Sequence, residues 1–310
     1  MADAFTRKGP VLVTGAGGFV GRHLMRRLKM GPGDAASDIN DDFAAPEGVM
    51  KLKWELPGPP PSELGEFSHI VHLAAMSSVS RSNEAIHRAY EVNLMGTVSV
   101  LEFAASVSPK ARLLLVSSSE VYGSSQGPLK EDSPLNPMNP YGATKAAAEI
   151  AARQIAAGRG LDIVMARPFP HFGPGQSLSF ALPSFCRRLI LARRNGDRCI
   201  RTGNLSPVRD YLYISDVIEA YSLILERGRT GDVYNVCTGN GSSMKEMLTS
   251  LMEVSGIRVD VETDPDLYRS ADVSRQVGDP EKIRTDVGWI PRVSRTRGLM
   301  NLFSWWEAKA

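Results

Sequence analysis

The stretch VLVTGAGGFVGRHLMRRL, residues 11–28, constrains the fold more than any other part of the chain. An apolar run is followed at once by three glycines spaced three apart, Gly15, Gly18 and Gly21, and then by a helix-like run. Strand, glycine turn and helix in that order open a parallel βαβ unit. Gly15 permits the tight turn, Gly18 lets the backbone approach a pyrophosphate, and Gly21 lets helix and strand pack closely. The helix N-terminus then offers unpaired N–H groups and a partial positive charge to phosphate oxygens. Glycine triplets also occur in ordinary turns; what distinguishes this one is its place between the first strand and the first helix.

The pattern repeats. HIVHLAA (69–75) reads as a strand and the stretch around 84–107 as one long helix. RLLLVSS (112–118) is a strand, 141–157 an alanine-rich helix, and LDIVMARP (161–168) a further strand. Such alternation predicts an α/β fold with a doubly wound parallel sheet. Residues 29–68 are harder to read: five prolines fall between Pro46 and Pro61, and any two strands there are short, the second weak. After about residue 170 the texture changes. A helix near 180–195, RDYLYISD (209–216), a helix to about 226, VYNVC (233–237) and a helix opened by Ser243 follow. Ser243 with Glu246 forms a capping-box pattern. The expected division is a dinucleotide-binding domain over 1–168 and a smaller substrate-binding lobe over 169–310, with segments such as 209–240 returning to the sheet.

Composition narrows the function classes. The 310 residues carry a net charge of +2 and no long basic run, so a nucleic-acid partner has no electrostatic footprint. The three cysteines, Cys186, Cys199 and Cys237, are far apart and show no CxxC spacing, which argues against a disulfide framework or a zinc site. With no signal-peptide-like start and no long apolar window, a cytoplasmic protein without a membrane span is expected.

Several side chains stand out chemically. A carboxylate about 20 residues beyond the glycine loop would bind the ribose hydroxyls of NAD. Asp38 is the candidate, with Asp34 as a rival. Arg22, Arg26 and Arg27 would instead meet a 2′-phosphate, or else form a solvated helix face; NAD and NADP both stay open. In YGATK (141–145), Tyr141 and Lys145 are four apart and share a helix face. A lysine so placed is expected to lower the phenol's pKa toward neutrality, giving an acid/base for a carbonyl or alcohol oxygen. Ser118, ending the preceding strand, would hold that oxygen beside Tyr141. No metal site is expected.

Together these features resemble the extended short-chain dehydrogenases/reductases, the nucleotide-sugar epimerases, dehydratases and reductases. The matching pieces are TGAGGFVG, HLAA (72–75), Asn93, SSSEVYG (117–123), YGATK, RPF (167–169), GPGQ (173–176), RDYLYISD and YNVCTG (234–239). The C-terminal half is most similar to the GDP-4-keto-6-deoxy-D-mannose reductases and next to the GDP-mannose 4,6-dehydratases. The resemblance implies a Rossmann domain, an NAD(P) cofactor, a nucleotide-diphosphate-sugar substrate and a homodimer built through the two long helices. It implies that Ser118, Tyr141, Lys145 and Glu120 are catalytic. Gly15, Gly18, Phe19, Val20, Gly21, Asp38, Leu56, Ala74 and Ala75, with Tyr141 and Lys145, would line the cofactor. Ser119, Glu120, His171, Arg209 and Arg269 would contact the substrate.

The chain departs from those relatives at Pro170, where they usually carry an asparagine that touches the sugar nucleotide. Proline offers neither a side-chain donor nor a backbone N–H. The reaction expected is reduction of a C4 keto group with NAD(P)H. A 4,6-dehydratase or 4-epimerase is the enzymatic rival, because Glu120 stands where dehydratases place the base for the C5 proton. A cofactor-binding sensor that has lost its chemistry is the rival of another class; retention of Ser118, Tyr141 and Lys145 speaks against it.

Overall fold

The structure is a computed structural model and describes residues 9–268 and 273–310. Seven parallel strands form its central sheet: β1 (Val11–Thr14), β2 (Ala35–Asp38), β3 (Met50–Lys53), β4 (His69–His72), β5 (Arg112–Val116), β6 (Asp162–Pro168) and β7 (Val233–Val236). Their order across the sheet is 7-6-5-4-1-2-3, a doubly wound arrangement that reverses direction beside β1. Strands covered on both faces need apolar residues at every position. The runs at β1 and β4 are buried throughout.

Helices close both faces. On one side lie α1 (Phe19–Arg27) and, much later in the chain, α5 (Ile214–Arg227), around a core that includes Val13, Leu24, Leu114, Val164 and Tyr221. On the other side lie α2 (Gly96–Val107) and α3 (Pro140–Arg159), around Leu12, Ile70, Leu101, Leu113 and Ile163. Each leucine fully buried here contributes about 1.5–3 kcal/mol over exposure. A third apolar cluster joins α4 (Ala181–Asn195), α6 (Met244–Ser255) and α7 (Arg295–Glu307) through Leu189, Met247 and Leu302. The capping box read at Ser243 is present at the start of α6, with side chain and backbone bonded reciprocally to Glu246.

Two expectations are corrected. The helix expected over 84–107 is not continuous. Short helices at Val79–Glu84 and Ile86–Tyr90 lead into a π-helical turn at Glu91–Met95, and only then into α2. The widened turn lets Asn93 face inward, completely buried. The strand expected over 69–75 stops at His72; Leu73 still donates to the Thr14 carbonyl at 3.2 Å, and Ala74 then lies against Gly15 of the glycine loop. The proline-rich region does hold two strands, β2 and β3; their pattern was masked because β2 is the small, polar sequence AASD.

No helix among the described residues is long and apolar enough to cross a membrane. Among the same residues no cluster of His, Cys, Asp and Glu is arranged to hold a metal ion, and all three cysteines are free thiols.

Candidate active site

A cleft of about 1220 Å³ opens across the carboxyl ends of the strands, between the sheet and the C-terminal lobe. Every residue to which the resemblance assigns a site role, and which lies among the described residues, lines it. Arg269 falls outside them.

The glycine loop forms one end. Gly15 has φ +70°, and a side chain there would meet the Ala74 backbone nitrogen at 2.6 Å. A side chain at Gly21 would meet the carbonyl oxygens of Gly15 and Ala16 at 2.5 and 2.6 Å. These contacts are backbone, so nothing can move aside cheaply. The start of α1 has no side-chain cap and no acidic residue in its first turn, leaving its dipole facing the cleft. Phe19, Val20, Ala74, Ala75 and Leu56 complete the walls around it.

The two candidate carboxylates separate cleanly. Asp38 ends β2 at the cleft, its Oδ2 accepting the Gly17 N–H at 2.9 Å. Asp34 is buried away from the cleft and caps backbone instead, accepting from Val11 and Gly31 at 2.9 and 2.8 Å. Arg22 reaches the Gly175 carbonyl at 3.3 Å, Arg26 and Arg27 lie in the last turn of α1, and none of the three lines the cleft.

The other end of the cleft joins β5 to α3. Beyond β5 the chain turns through a short 3-10 segment at Ser119–Val121, capped by Ser118, whose Oγ accepts the Glu120 N–H at 3.1 Å. Helix α3 starts at Pro140, and its cap Asn139 does two things. Its Oδ1 accepts the Gly142 N–H at 2.9 Å, and its Nδ2 donates to Glu120 Oε2 at 2.8 Å. A side chain at Gly142 would collide with the Glu120 carbonyl, so only glycine lets the helix start this close to the serine turn. Asparagine before a proline announces a helix cap. Nothing in the sequence shows that the same asparagine also holds Glu120.

Tyr141 hydrogen-bonds Ser118, and Lys145 Nζ donates to the Val116 carbonyl at 2.8 Å. Burial pushes the phenol of Tyr141 up to about 12; the Ser118 bond pulls it down and the Glu120 charge pushes it further up. The expected lowering by Lys145 is therefore corrected: desolvation dominates, and the ammonium is held at the Val116 carbonyl. Burial also lowers Lys145 to about 8, opposed by the charge of Glu149 one turn on.

Of the remaining candidates, Ser119 commits its hydroxyl to Gln276 at 2.8 Å, so it borders the cleft with its donor already used. Arg209 is buried in the lobe wall of the cleft, with Nη1 on the Val208 carbonyl at 3.1 Å. His171 donates from Nδ1 to the Phe169 carbonyl at 3.0 Å and stacks on Phe19 with ring centroids 6.1 Å apart. Burial lowers its pKa, favouring the neutral ring. Pro170 lines the cleft beside it, and its carbonyl accepts the Leu212 N–H at 2.9 Å.

Asn93 links the two ends. Its Oδ1 accepts the Met76 N–H at 2.7 Å, and its Nδ2 donates to Thr144 Oγ1 at 2.9 Å, between Tyr141 and Lys145. The loop after β4 and the helix of the tyrosine are thereby tied to one buried amide. Arg188 and Asn204 also line the cleft and had no motif to single them out for this role; Gln176, which ends the GPGQ motif, lines it too.

Fold and site together define an extended short-chain dehydrogenase/reductase. The chain belongs to the family described as GDP-mannose 4,6 dehydratase, whose sequence pattern matches residues 64–302. It is 30% identical over 307 residues to the GDP-6-deoxy-D-mannose reductase of Pseudomonas aeruginosa, covering 96% of this chain and 97% of that one. It is also 32% identical over 315 residues to a dTDP-glucose 4,6-dehydratase of Streptomyces griseus, covering 96% and 94%. Among solved structures, RMD from Pseudomonas aeruginosa complexed with NADPH superposes with a TM-score of 0.81 at 27% identity, covering 98% of this chain and all of that one (100%). MoeE5 in complex with UDP-glucuronic acid and NAD superposes with a TM-score of 0.84 at 29% identity, covering 97% and 100%. Reductases and dehydratases of nucleotide sugars thus stand at similar distances.

Proposed function

We propose that this protein reduces the C4 keto group of a GDP-4-keto-6-deoxy sugar, using a reduced nicotinamide dinucleotide. The cradle at Gly15 and Gly21, the uncapped start of α1 and the Asp38 carboxylate beside it fit such a cofactor. Asp38 further favours NADH, since its charge suits ribose hydroxyls and opposes a 2′-phosphate. Relatives have been solved with NADPH and with NAD, so the preference proposed here rests on Asp38 alone.

Bound there, the nicotinamide supplies a hydride. The protein's own groups supply the rest. Ser118 and Tyr141 converge on one oxygen position and stabilise the charge that develops on it. Tyr141 then gives that oxygen its proton. Lys145, held by the Val116 carbonyl within the cleft, would present its ammonium to the ribose. In the lobe, Arg209 faces the cleft, where a guanidinium suits diphosphate oxygens. Pro170 and His171 replace the usual asparagine contact, so the sugar is gripped differently at that wall.

The observation that carries the reductase reading is the state of the reacting end. Tyr141 offers a phenolic proton, and Glu120, the single carboxylate near it among the described lining residues, is held by the Asn139 amide at 2.8 Å. A proton donor is what reduction needs. Elimination of water from C5 and C6 needs a base free to move a proton. Glu120 also favours the second reading, an NAD-dependent 4,6-dehydratase, because it lies at the right end of the cleft.

Incubation with GDP-4-keto-6-deoxymannose and NADH, followed by nicotinamide absorbance, tests both readings. Stoichiometric oxidation of NADH is expected; no oxidation with GDP- or dTDP-linked keto sugars would sink the reductase reading. Glu120→Gln should mainly raise KM and leave kcat within about tenfold, whereas loss of a general base would cost about 10²–10⁴ in kcat.

The homodimer is proposed on the outer surface of the helix pair. Met95 and Ile150 are 48% and 64% exposed there, with Ile86 and Tyr90 nearby, an apolar area that a second copy would cover. Light scattering should give twice the chain mass at micromolar concentration, and a monomer would count against it.

A further inference from the structure

The short strand Arg275–Gln276 lies between the lobe wall that carries Arg209 and the loop that carries Ser118 and Glu120. Along one edge it pairs in parallel with Val208–Asp210, and Gln276 lies directly across from Arg209. Along the other edge it meets the chain that follows the serine turn. There the Arg275 carbonyl accepts the Ser125 N–H at 3.1 Å, and the Val277 carbonyl accepts the Leu129 N–H at 2.8 Å.

Gln276 joins the two neighbours through its side chain as well. Residues aligned across a parallel pair present their side chains on the same face, so Arg209 and Gln276 leave the small sheet side by side. Arg209 lines the cleft, whereas Gln276 is covered by the serine turn and completely buried. Its Oε1 accepts the Ser119 hydroxyl at 2.8 Å, and its Nε2 donates to the carbonyls of Ser119 and Gly123 at 2.9 and 3.2 Å. A carbonyl can only accept, so the amide has one orientation and both of its protons are used. These bonds lie out of water, where a lost partner is costly. They hold Ser119 at both its hydroxyl and its carbonyl. Ser119 stands between Ser118, which meets Tyr141, and Glu120.

We propose that Gln276 is a positioning residue that sets the spacing between the Arg209 wall and the serine turn, so that a diphosphate seated on the wall brings the sugar's carbonyl group to Ser118 and Tyr141. Gln276 does not line the cleft and acts only through its neighbours. Binding energy from the diphosphate is thereby converted into position at the reacting atoms. A wrong spacing would leave both ligands bound and badly aligned. This inference rests on the reductase reading above and on the part given there to Arg209.

Gln276→Leu tests it, since leucine nearly keeps the bulk and removes every one of these bonds. Wild-type protein that fails to oxidise NADH with GDP-4-keto-6-deoxymannose would overturn the reading and the inference together. With wild-type turnover in hand, the single-turnover rate of Gln276→Leu at saturating substrate should fall about 10–100-fold, the cost of misplacing a reacting group by about 1 Å. Its affinities for NADH and for GDP, measured separately by calorimetry, should stay within about twofold, because the contacts of neither ligand are altered. A variant that merely loosened the fold would lose both affinities along with the rate. Gln276→Glu keeps an acceptor for Ser119 but brings no amide protons to the two carbonyls, so its rate should fall between those of wild type and Gln276→Leu. An unchanged rate, or NADH and GDP affinities that fall in step with it, would overturn the proposal. Gln276→Glu carries the same expectations should the leucine variant fold poorly.

Discussion

Tyr141→Phe is expected to lower kcat for NADH-dependent reduction by about 10³-fold while NADH affinity stays within about twofold. The phenol is the one group that both meets Ser118 and carries a transferable proton toward the substrate oxygen. Its removal takes away the acid and one of the two oxyanion contacts, but leaves the glycine cradle, Asp38 and Lys145 in place. The pH dependence follows with its sign. The phenol sits at about 12 in the protein alone, so the proton donor is present throughout the neutral range and is lost only as pH rises toward that value. Lys145, at about 8, loses its charge earlier, so the first decline on the alkaline side belongs to the lysine. Retained turnover in Tyr141→Phe, measured in single-turnover experiments with saturating NADH, would remove the proposed donor.

Asp38→Asn is expected to reduce the preference for NADH over NADPH by about 100-fold. The amide keeps an oxygen for the Gly17 N–H, now accepted at 2.9 Å, so the loop retains its shape. What it loses is the negative charge that a 2′-phosphate would have to approach. A repulsion of that kind in a half-screened cleft is worth about 3 kcal/mol, which is the hundredfold stated. Equal kcat/KM ratios for the two cofactors in the variant and the unaltered protein would show that Asp38 does not set the choice. The carboxylate would then belong to the loop alone.

The difference between what the residues announced and what they concealed has physical causes. The glycine loop and the strands β1, β4 and β5 were legible because a sheet covered on both faces demands unbroken apolar runs, and because only glycine tolerates the contacts at Gly15 and Gly21. Strand β2 was not, since AASD has no apolar period; backbone pairing to both β1 and β3 holds it. For the same reason Asp38 lacked a convincing strand to end. The break before α2 was hidden because a π turn uses the same residue types as a helix, and its cause, the inward amide of Asn93, is tertiary. Tyr141 and Lys145 are legible from their spacing, but the direction in which the phenol's pKa moves is not. Spacing gives proximity, whereas burial set the sign of the shift. The hold of Asn139 on Glu120 was hidden too, because it joins side chains that only the packing of α3 against the serine turn brings together.

The bond from Ser119 to Gln276 joins residues 157 positions apart, and Gln276 also donates to the carbonyls of Ser119 and Gly123 at 2.9 and 3.2 Å. This has a consequence for the order of events during synthesis. Six of the seven sheet strands have been made by the time Pro168 is added, yet Ser119, in the serine turn between Ser118 and Glu120, gains its side-chain partner only when Gln276 arrives. A nascent chain can therefore assemble its nucleotide cradle early and acquires a fixed reacting end only near its completion.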